Sequence, residues 1–396
     1  MPGEQRAGAR RIALVHDFLL DLRGAERVFL AMCDLWPEAD VYTAVYDPEG
    51  TEGRFEGREV HTSFLQRLKP TARTFRGLLP LYPTAIESFD LSGYDLVVSS
   101  SSAWAHAVIC DDRTLHVSYC HNPFRYAWND RDRTLAEHSN PLTRTALRAL
   151  FRRWRQWDWI AAQRVDRYMA NSRATQKRIS TYFGRESTVV YPPVEIDRFS
   201  TGTAGDYYLV LSELMPHKRI QTAIEAFNRL RRPLVVVGDG PDARRLRRLA
   251  GPTVRLLGRV DDVRVAQLLS NCRGLVVTAV EEFGIAAVEA QAAGRPVIAF
   301  EAGGAMETVE EGVTGTFWRG GPDELATAVV DFDEAAIDPR DCIANARRFG
   351  ADRFRQELLR EVERATNGEP AEPSHDPRRA RAAARTSIRG LSRRLR

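Results

Sequence analysis

The chain has 396 residues, of which 43% are apolar and 28% are charged, a composition typical of soluble globular proteins. This length exceeds what one ordinary core accommodates, which predicts two domains. The net charge of +4 is uneven, because residues 366–396 carry eight Arg and three acidic residues, or +5, and the rest is therefore about −1 (4 minus 5). A near-neutral body argues against a nucleic-acid enzyme, whose folded surface should itself be basic.

The first residues lack a charged-then-apolar leader, and no run of about 18 apolar residues occurs, which argues against secretion and membrane spanning. The cysteines are scattered and show no CxxC spacing. This pattern suits a reducing cytosol and argues against a zinc site or a disulfide framework. We therefore expect a cytoplasmic protein. The cysteines are Cys33, Cys110, Cys120, Cys272 and Cys342.

The first half of the chain alternates between apolar strand patterns and helical periodicity. Strands are predicted at Arg11–Phe18, Asp40–Ala44, Leu96–Ser99, Leu115–Tyr119, Arg167–Ala170 and Thr188–Val190. Helices are predicted at Gly24–Trp36, Pro141–Val165 and Ser172–Phe183. Pro192 and Pro193 then interrupt the alternation, because paired prolines continue neither a strand ladder nor a helix. A domain boundary is expected there.

The second half repeats the alternation more regularly. Strands are predicted at Tyr207–Ser212, Leu234–Val237, Thr253–Leu257, Leu275–Ala279 and Pro296–Ala299, with helices at Ile220–Leu230, Pro241–Leu249, Val263–Leu269 and Gly284–Ala293. Short apolar strands between helices indicate parallel sheets covered on both faces. The predicted fold class is α/β, with two doubly wound, Rossmann-like domains facing each other across a cleft. Their predicted limits are 1–190 and 191–365, followed by a basic, disordered tail at 366–396.

The stretch EEFGIAAVEAQAAGRPVIAF, which begins at Glu281, places two carboxylates around a predicted helix start. The preceding strand should bring Glu281 to the rim of the cleft, and Gly284 leaves room for a ligand to approach the backbone. The N–H groups of Phe283, Gly284 and Ile285 would then be free to bind phosphate oxygens. The alternative is a surface helix in which Glu281 is a cap and Glu289 is solvated.

Extended to EEFGIAAVEAQAAGRPVIAFEAGG, this run resembles the donor-site signature of the glycosyltransferase family 4 enzymes, which are retaining and have the two-domain GT-B fold. The family pattern has two Glu separated by seven residues, Phe-Gly after the first, an Ala-x-Gly-x-Pro-Val strand and a Gly pair. ELMPHKRIQTAIEAFNRL, VVGDGPDARRL and RGAERV resemble further family segments in the same order. The resemblance extends from about Arg11 to Ala365. It implies that Glu281 bonds sugar hydroxyls, Glu289 bonds ribose hydroxyls, Lys218 binds the donor diphosphate, and Gly24 lies nearest the donor phosphate.

The segment YCHNPFRYAW resembles the stretch CHTPMRYAW of the mannosyltransferase-like branch that builds bacterial O-antigen. This resemblance implies GDP-mannose as donor and a glycan or lipid-linked glycan as acceptor. His121 would contact the donor sugar, and the alternative is a structural histidine after a buried strand. Arg125 lies four residues later and is a candidate for binding an anionic acceptor group.

Two positions depart from the family pattern. The family usually has an Arg five residues before the Lys, and both bind the diphosphate, whereas this chain has Glu213 there. The N-terminal loop usually has a Gly pair, and here its first residue is Arg23. Arg219, next to Lys218, is a candidate donor-binding residue that would compensate for the missing cation.

Loss of a nucleoside diphosphate leaves negative charge that many transferases neutralise with Mg²⁺. No Asp-x-Asp cluster occurs at a predicted strand end, and the pairs Asp111–Asp112 and Asp261–Asp262 are better explained as surface turns. Lys218 and the helix N-terminus at Gly284 would then supply the positive charge. The resemblance also implies metal independence, so no metal ligand and no cofactor beyond the donor are expected.

Two segments are candidates for membrane contact. FRRWRQWDW, from Phe151 to Trp159, combines Trp and Arg as interfacial helices do, but its spacing equally describes a helix packed on its own domain, which we favour. The Arg-rich tail is the better candidate for an anionic membrane surface. A peripheral enzyme at the inner face of the membrane is the resulting hypothesis.

The sequence leaves some alternative functions open and disfavours others. A UDP-sugar donor stays open, and so does a nucleotide-sugar-binding protein with little turnover, for which Glu213 is the only support. An NAD-dependent enzyme is disfavoured, because VVGDGPDA has Ala243 where the last Gly of G-x-G-x-x-G would stand. A glycosidase places two carboxylates about 5–9.5 Å apart across a bond, which fits two Glu on one strand–helix unit poorly.

Overall fold

The computed structural model describes residues 10–72 and 74–371 and contains two parallel β-sheets. The first sheet has the strand order β3-β2-β1-β4-β5-β6-β7. Its strands are β1 Ile12–His16, β2 Asp40–Thr43, β3 Val60–Thr62, β4 Leu96–Ser101, β5 Leu115–Cys120, β6 Arg167–Ala170 and β7 Ser187–Val189. All six residues of β4 are buried, as expected for a central strand with both faces covered.

Helices cover both faces of this first sheet. One face carries a core around Tyr82, Trp104 and Trp154, and the other face carries a core around Phe29. The helices in this half of the chain are α1 Gly24–Leu35, α2 Tyr82–Glu87, α3 Arg131–Ala136, α4 Pro141–Ala162 and α5 Arg173–Phe183, with short 3₁₀ turns at Phe64–Leu68, Phe75–Leu81 and Ala105–Ala107.

The second sheet has the strand order β10-β9-β8-β11-β12-β13 and is also parallel throughout. Its strands are β8 Tyr208–Leu211, β9 Leu234–Val237, β10 Val254–Gly258, β11 Leu275–Val277, β12 Val297–Phe300 and β13 Gly315–Trp318. Its helices are α6 Ile220–Leu230, α7 Ala243–Leu249, α8 Asp262–Asn271, α9 Ile285–Ala292, α10 Ala305–Thr308, α11 Pro322–Asp331 and α12 Pro339–Arg347. The last helix of the chain, α13, is Ala351–Thr366.

The predicted α/β class with two doubly wound domains is confirmed, and every predicted strand and helix is present within a few residues. Two strands were not predicted, β3 and β13. Both lie at sheet edges, and the three residues of β3 are only partly buried. Short edge strands leave a weak apolar pattern, because only part of each is buried.

The predicted limit of the C-terminal domain at residue 365 is corrected by the position of α13. This helix buries Phe354, Leu358 and Val362 against the first sheet and α1, not against the second sheet. The rings of Phe354 and Tyr119 meet edge to face with centroids 5.8 Å apart. The C-terminal domain therefore ends near residue 350, and the chain returns to complete the N-terminal domain. From residue 372 onward, the predicted basic tail lies outside the described residues.

The chain crosses between the domains twice, and the two crossings lie side by side. Val194 N–H donates to the Phe349 carbonyl at 3.0 Å, and Val194 pairs with Gly350 in an isolated bridge. The first crossing follows Pro192 and Pro193, where the sequence predicts a boundary. Both connections are therefore short and tied to each other.

Candidate active site

A cavity of about 490 Å³ lies between the two sheets at the carboxyl ends of their strands. Its volume is in the range of roughly 300–1,000 Å³ that is usual for small-molecule sites. Eight of the ten predicted site residues line it, and Arg219 and Glu289 do not. The eight are Gly24, His121, Arg125, Lys218, Glu281, Phe283, Gly284 and Ile285.

The N-terminus of α9 forms one wall of the cavity. Gly284 precedes the helix with φ 94°, a conformation that residues with a side chain rarely adopt. The Gly303–Gly304 pair supports this turn from behind, because a Cβ on Gly304 would come within 2.2 Å of the Phe283 Cα. Gly304 N–H also donates to the Glu281 carbonyl at 2.8 Å. The Gly pair thus holds the loop that presents the α9 N–H groups to the cavity.

Lys218 and Glu281 face each other in the cavity. The Lys218 Nζ lies 2.6 Å from Glu281 Oε2, and both side chains are largely buried. Thr278 Oγ1 donates to the Lys218 carbonyl at 2.6 Å, which ties the short 3₁₀ turn that carries Lys218 to the end of β11. An anion and a hydroxyl-rich ligand in this cavity would find one fixed cation and one fixed acceptor side by side.

Glu282 is a site residue that sequence reasoning missed. It accepts from Arg125 Nη2 at 2.8 Å and from Arg178 Nη1 at 3.3 Å, both of which belong to the N-terminal domain. Burial would raise the pKa of Glu282, but Arg125, Lys218 and Arg178 outweigh it and hold the pKa below its usual value. No sequence pattern distinguishes Glu282 from its neighbour Glu281, because its partners lie more than 100 residues away.

The Arg125 guanidinium is therefore engaged across the cleft. Besides its ion pair with Glu282, it donates to His217 Nε2 at 3.0 Å. Burial, together with Arg125 and Lys218, lowers the pKa of His217 to about 3, so this ring is neutral. Arg125 lines the cavity as predicted, but its contacts link the two domains and leave its role toward an acceptor untested.

His121 begins a chain of buried polar groups. Its Nε2 lies 2.9 Å from the Ser100 hydroxyl, which lies 3.1 Å from His16 Nδ1, and His16 Nε2 lies 3.7 Å from Glu26. Burial lowers the pKa of His121 to about 3, and His16 adds to the shift, so His121 is neutral. The Ser100 contact occupies Nε2 and fixes the ring orientation, which leaves Nδ1 for a ligand.

Asp17 is a structural residue and not a ligand for the cavity. Its buried carboxylate accepts four backbone N–H groups at 2.5–3.1 Å. The donors are Ser102, Ala103, Trp104 and Ala105, in the loop that follows β4. Ser102 and Ala103 line the cavity, so Asp17 fixes part of its wall.

The two departures from the family pattern meet in the structure. Arg23 Nη1 donates to Glu213 Oε1 at 2.6 Å, although the residues lie in different domains. Asp21 also binds the Arg23 guanidinium, at 2.6 and 2.7 Å. Glu213 lines the cavity, so its charge would oppose a bound diphosphate unless Arg23 neutralised it.

This pairing predicts the behaviour of two single variants and their combination. Arg23→Ala should weaken binding of a nucleoside diphosphate such as GDP about fivefold, because it leaves an unpaired carboxylate on the cavity wall and a partly exposed pair is worth about 1 kcal/mol. Arg23→Ala/Glu213→Ala should bind within about twofold of the wild type. Titration calorimetry measures all three proteins. Equal binding by Arg23→Ala and the wild type would contradict the compensation.

Arg219 is not oriented as predicted. Its guanidinium lies 4.3 Å from the centre of the Phe300 ring and donates to the Gly320 carbonyl at 2.8 Å. Neither partner lines the cavity. The reason is local, because Arg219 ends a 3₁₀ turn with φ 54° and its side chain follows the far side of the loop. The cation that pairs with Glu213 is Arg23 instead.

Glu289 lies one turn beyond the part of α9 that lines the cavity. Its half-buried carboxylate has no hydrogen bond or ion pair with another described residue. Burial raises its pKa to about 7, although Arg198 and Arg27 oppose the shift. Arg27, from the N-terminal domain, pairs with Asp262 at 2.9 Å beside it. Glu289 is therefore an unpartnered acceptor at the edge of the cleft.

The acidic pairs dismissed as metal ligands have structural roles. Asp261 caps α8 by accepting from Arg264 N–H at 2.7 Å, and Asp111 accepts from Gly93 N–H at 3.2 Å. In the described ranges, one group has metal-ligating spacing, formed by Asp40, Glu59 and His61. These residues belong to or adjoin β2 and β3 and do not line the cavity.

Comparison with known proteins identifies the class. The family described as Glycosyl transferases group 1 matches residues 194–349, and Glycosyltransferase Family 4 matches residues 22–198. Together the two matches span residues 22–349, which include most of the N-terminal domain and the C-terminal domain. The chain therefore belongs to the family 4 glycosyltransferases with the GT-B fold, as the signature around Glu281 indicates.

The individual relatives match less of the chain than the two family models do together. The chain is 32% identical over 235 residues to a GDP-mannose-dependent alpha-(1-6)-phosphatidylinositol monomannoside mannosyltransferase of Mycolicibacterium smegmatis, covering 50% of this chain and 58% of that protein. The chain thus spans about half the length of the curated relatives it matches.

Among solved structures, the sucrose-phosphate synthase of Thermosynechococcus elongatus has a TM-score of 0.70 at 16% identity, covering 91% of this chain and 100% of that one. The Anabaena HepE protein in complex with UDP has a TM-score of 0.65 at 22% identity, covering 89% and 99%. At these identities the likeness shows the fold. In the part of the chain that the structure describes, no helix is long and apolar enough to cross a bilayer.

Proposed function

We propose that the chain is a retaining, metal-independent glycosyltransferase that transfers mannose from GDP-mannose to a glycan or lipid-linked glycan in cell-surface polysaccharide synthesis. The observation that carries this proposal is the meeting of Lys218, Glu281 and the α9 N-terminus in one cavity. A cation and free N–H groups suit a diphosphate, and an adjacent carboxylate suits sugar hydroxyls.

The proposed reaction uses these groups as follows. The α9 N–H groups and Lys218 stabilise negative charge on the departing nucleoside diphosphate. When Lys218 turns to the phosphates, Glu281 is released to accept hydrogen bonds from the sugar hydroxyls. Neutral His121 offers Nδ1 to the sugar from the opposite domain, in the orientation that Ser100 fixes.

Metal independence has support from the carboxylates of the cavity wall. Glu213, Glu281 and Glu282 each pair with a cation at 2.8 Å or less. A divalent ion would have to break these pairs to obtain its oxygen ligands. Lys218 and the α9 N-terminus already supply positive charge where the leaving group would lie.

The choice of mannose rests on relatives. One curated relative is named as GDP-mannose-dependent and its name specifies a phosphatidylinositol mannoside, which supports both a GDP-sugar and a lipid-linked acceptor. A structural relative that binds UDP keeps a UDP-sugar as the second candidate. A nucleotide-sugar-binding protein with little turnover loses its main support, because Arg23 pairs with Glu213.

The test is calorimetric titration of the purified protein with GDP, UDP and ADP in the presence of EDTA. We expect selective GDP binding without metal, and at least tenfold weaker binding by Glu289→Ala, because a carboxylate that accepts two ribose hydroxyls contributes about 1.5–3 kcal/mol. Selective UDP binding would leave the proposal of a glycosyltransferase intact and would overturn mannose as the transferred sugar. Absence of nucleotide binding would refute the proposed site.

The raised pKa of Glu289 predicts a pH dependence. The carboxylate accepts both ribose hydroxyls only when it is ionised, so GDP binding should strengthen as the pH rises through about 7. Between pH 6 and pH 8 we expect a gain of about tenfold for the wild type. Glu289→Gln, which does not titrate, reports the nucleotide's own titration. The same pH profile in both proteins would exclude Glu289 as the source of the pH dependence of GDP binding.

A further inference from the structure

The solvent side of α4 carries a cationic surface, at whose edge Glu87 accepts from Trp157 Nε1 at 3.1 Å and pairs with Arg164. The helix contains one acidic residue, Asp158, which is fully buried and accepts from Trp128 Nε1. Against it stand five arginines, Arg144, Arg148, Arg152, Arg153 and Arg155. None of the five forms an ion pair with another described residue, and Arg155 lies over the Trp128 ring at 6.0 Å.

Three of these arginines, Arg148, Arg152 and Arg153, are exposed, whereas Arg144 and Arg155 are half-buried. Phe151, Trp154 and Asp158 are buried at spacings of three and four, which defines the packed face of α4. This result agrees with our interpretation of FRRWRQWDW as a helix packed on its own domain. Arg148 and Arg152 lie four residues apart on the opposite face, with Trp159 beside them.

The same face exposes large apolar side chains. Leu142, Trp159 and Ile160 are 81%, 49% and 56% exposed. Exposure of these apolar side chains to water does not stabilise the protein. A Trp and aliphatic residues among arginines match the composition of helices that lie at a membrane interface.

A second segment on the same side of the sheet repeats this chemistry. The stretch 63–86 contains no acidic residue, and Arg67, Lys69 and Arg76 are exposed in it. Leu68 and Leu81 are exposed as well. Its buried residues Leu65, Phe75 and Tyr82 share a core with Phe151 and Trp154 of α4, whereas α1 and α13 cover the other face of the sheet.

We propose that α4 and the 63–86 segment form a docking surface for an anionic lipid bilayer. Charge complementarity identifies the occupant, because phospholipid headgroups offer the carboxylate- and phosphate-type anions that these arginines lack within the protein. The exposed Trp and aliphatic side chains enter the acyl boundary, a contact that the phosphate backbone of a nucleic acid does not offer.

The surface adjoins the cavity. Phe75, Arg76 and Leu79 line the cavity from the 63–86 segment, together with Phe18 and Phe124. Docking through this segment would place the apolar wall of the cavity next to the lipid, within reach of a substrate held in the membrane. The inference concerns membrane attachment and does not depend on which nucleotide sugar the cavity binds.

The experiment is sedimentation of the full-length protein with vesicles of neutral phosphatidylcholine and with vesicles that also contain phosphatidylglycerol. Each arginine near an anionic surface contributes about fivefold in partitioning. The variant Arg148→Glu/Arg152→Glu/Arg153→Glu should therefore lose at least about 100-fold in binding to anionic vesicles. These side chains are exposed, so circular dichroism and GDP binding should stay unchanged.

The matched control reverses three exposed arginines on α7 of the C-terminal domain, Arg244→Glu/Arg247→Glu/Arg248→Glu. No large apolar side chain of α7 is exposed beside them. This control should retain binding within about fivefold. Equal losses in both variants, unchanged binding by the α4 variant, or binding of RNA without binding of anionic vesicles would each overturn the proposal. Trp159→Ser should lower binding further if the apolar side chains insert.

Discussion

Replacing Lys218 with alanine is expected to lower the rate of the proposed sugar transfer from GDP-mannose by about 100- to 1,000-fold, the cost of removing one fixed donor from a site where charge develops. Lys218 Nζ lies 2.6 Å from Glu281 and lines the same cavity as the α9 N-terminus. Release of GDP under single-turnover conditions measures the effect on the chemical step.

Lys218→Arg is the matched variant, because it keeps the charge and alters only its geometry. It should retain more activity than Lys218→Ala, and both should bind GDP more weakly than the wild type. A Lys218→Ala protein with full activity would show that the diphosphate lies elsewhere. If Glu281→Gln abolished activity while Lys218→Ala did not, Glu281 would act without its ion pair and the cation would not act on the leaving group.

Replacing Asp17 with alanine should produce the largest loss of stability, at least about 3 kcal/mol in the free energy of unfolding. The substitution leaves four buried N–H groups of the 102–105 loop without an acceptor, and each unsatisfied group costs about 1–3 kcal/mol before the loop relaxes. Urea unfolding followed by circular dichroism measures the change.

Asp112→Ala is the control, because Asp112 is exposed in a turn and should change stability by less than about 0.5 kcal/mol. Asp17→Asn tests the mechanism, since an amide oxygen serves fewer donors than a carboxylate and should give an intermediate loss. Equal stability of Asp17→Ala and the wild type would mean that the loop obtains its acceptors elsewhere.

The fold and the loop that precedes α9 were predictable because their determinants are local. Strand and helix periodicity is read within a few residues, and the Glu281–Gly284 turn is encoded by consecutive residues, with Gly303 and Gly304 about twenty residues later. The same locality explains the correct placement of Lys218, which follows β8 in a short turn next to α6.

The contacts that sequence reasoning missed depend on distant partners. Arg23 and Glu213 are separated by 190 positions and Arg125 and Glu282 by 157, so neither pair can be recognised from spacing. Arg219 failed for a different reason. Its neighbour Lys218 lines the cavity, but the left-handed backbone conformation of Arg219 directs the Arg219 side chain onto Phe300. Adjacent residues in a turn often point in opposite directions.

The return of α13 to the first sheet has a consequence for synthesis of the chain. The N-terminal domain cannot complete the core around Tyr119 until Phe354 and Leu358 emerge from the ribosome. At a typical rate of roughly 5–20 residues per second, the intervening 160 or so residues delay it by roughly 8–30 s. The C-terminal domain, although it is made second, has all its strands and helices before α13 is made, and the nascent N-terminal domain must wait with part of one face of its sheet uncovered.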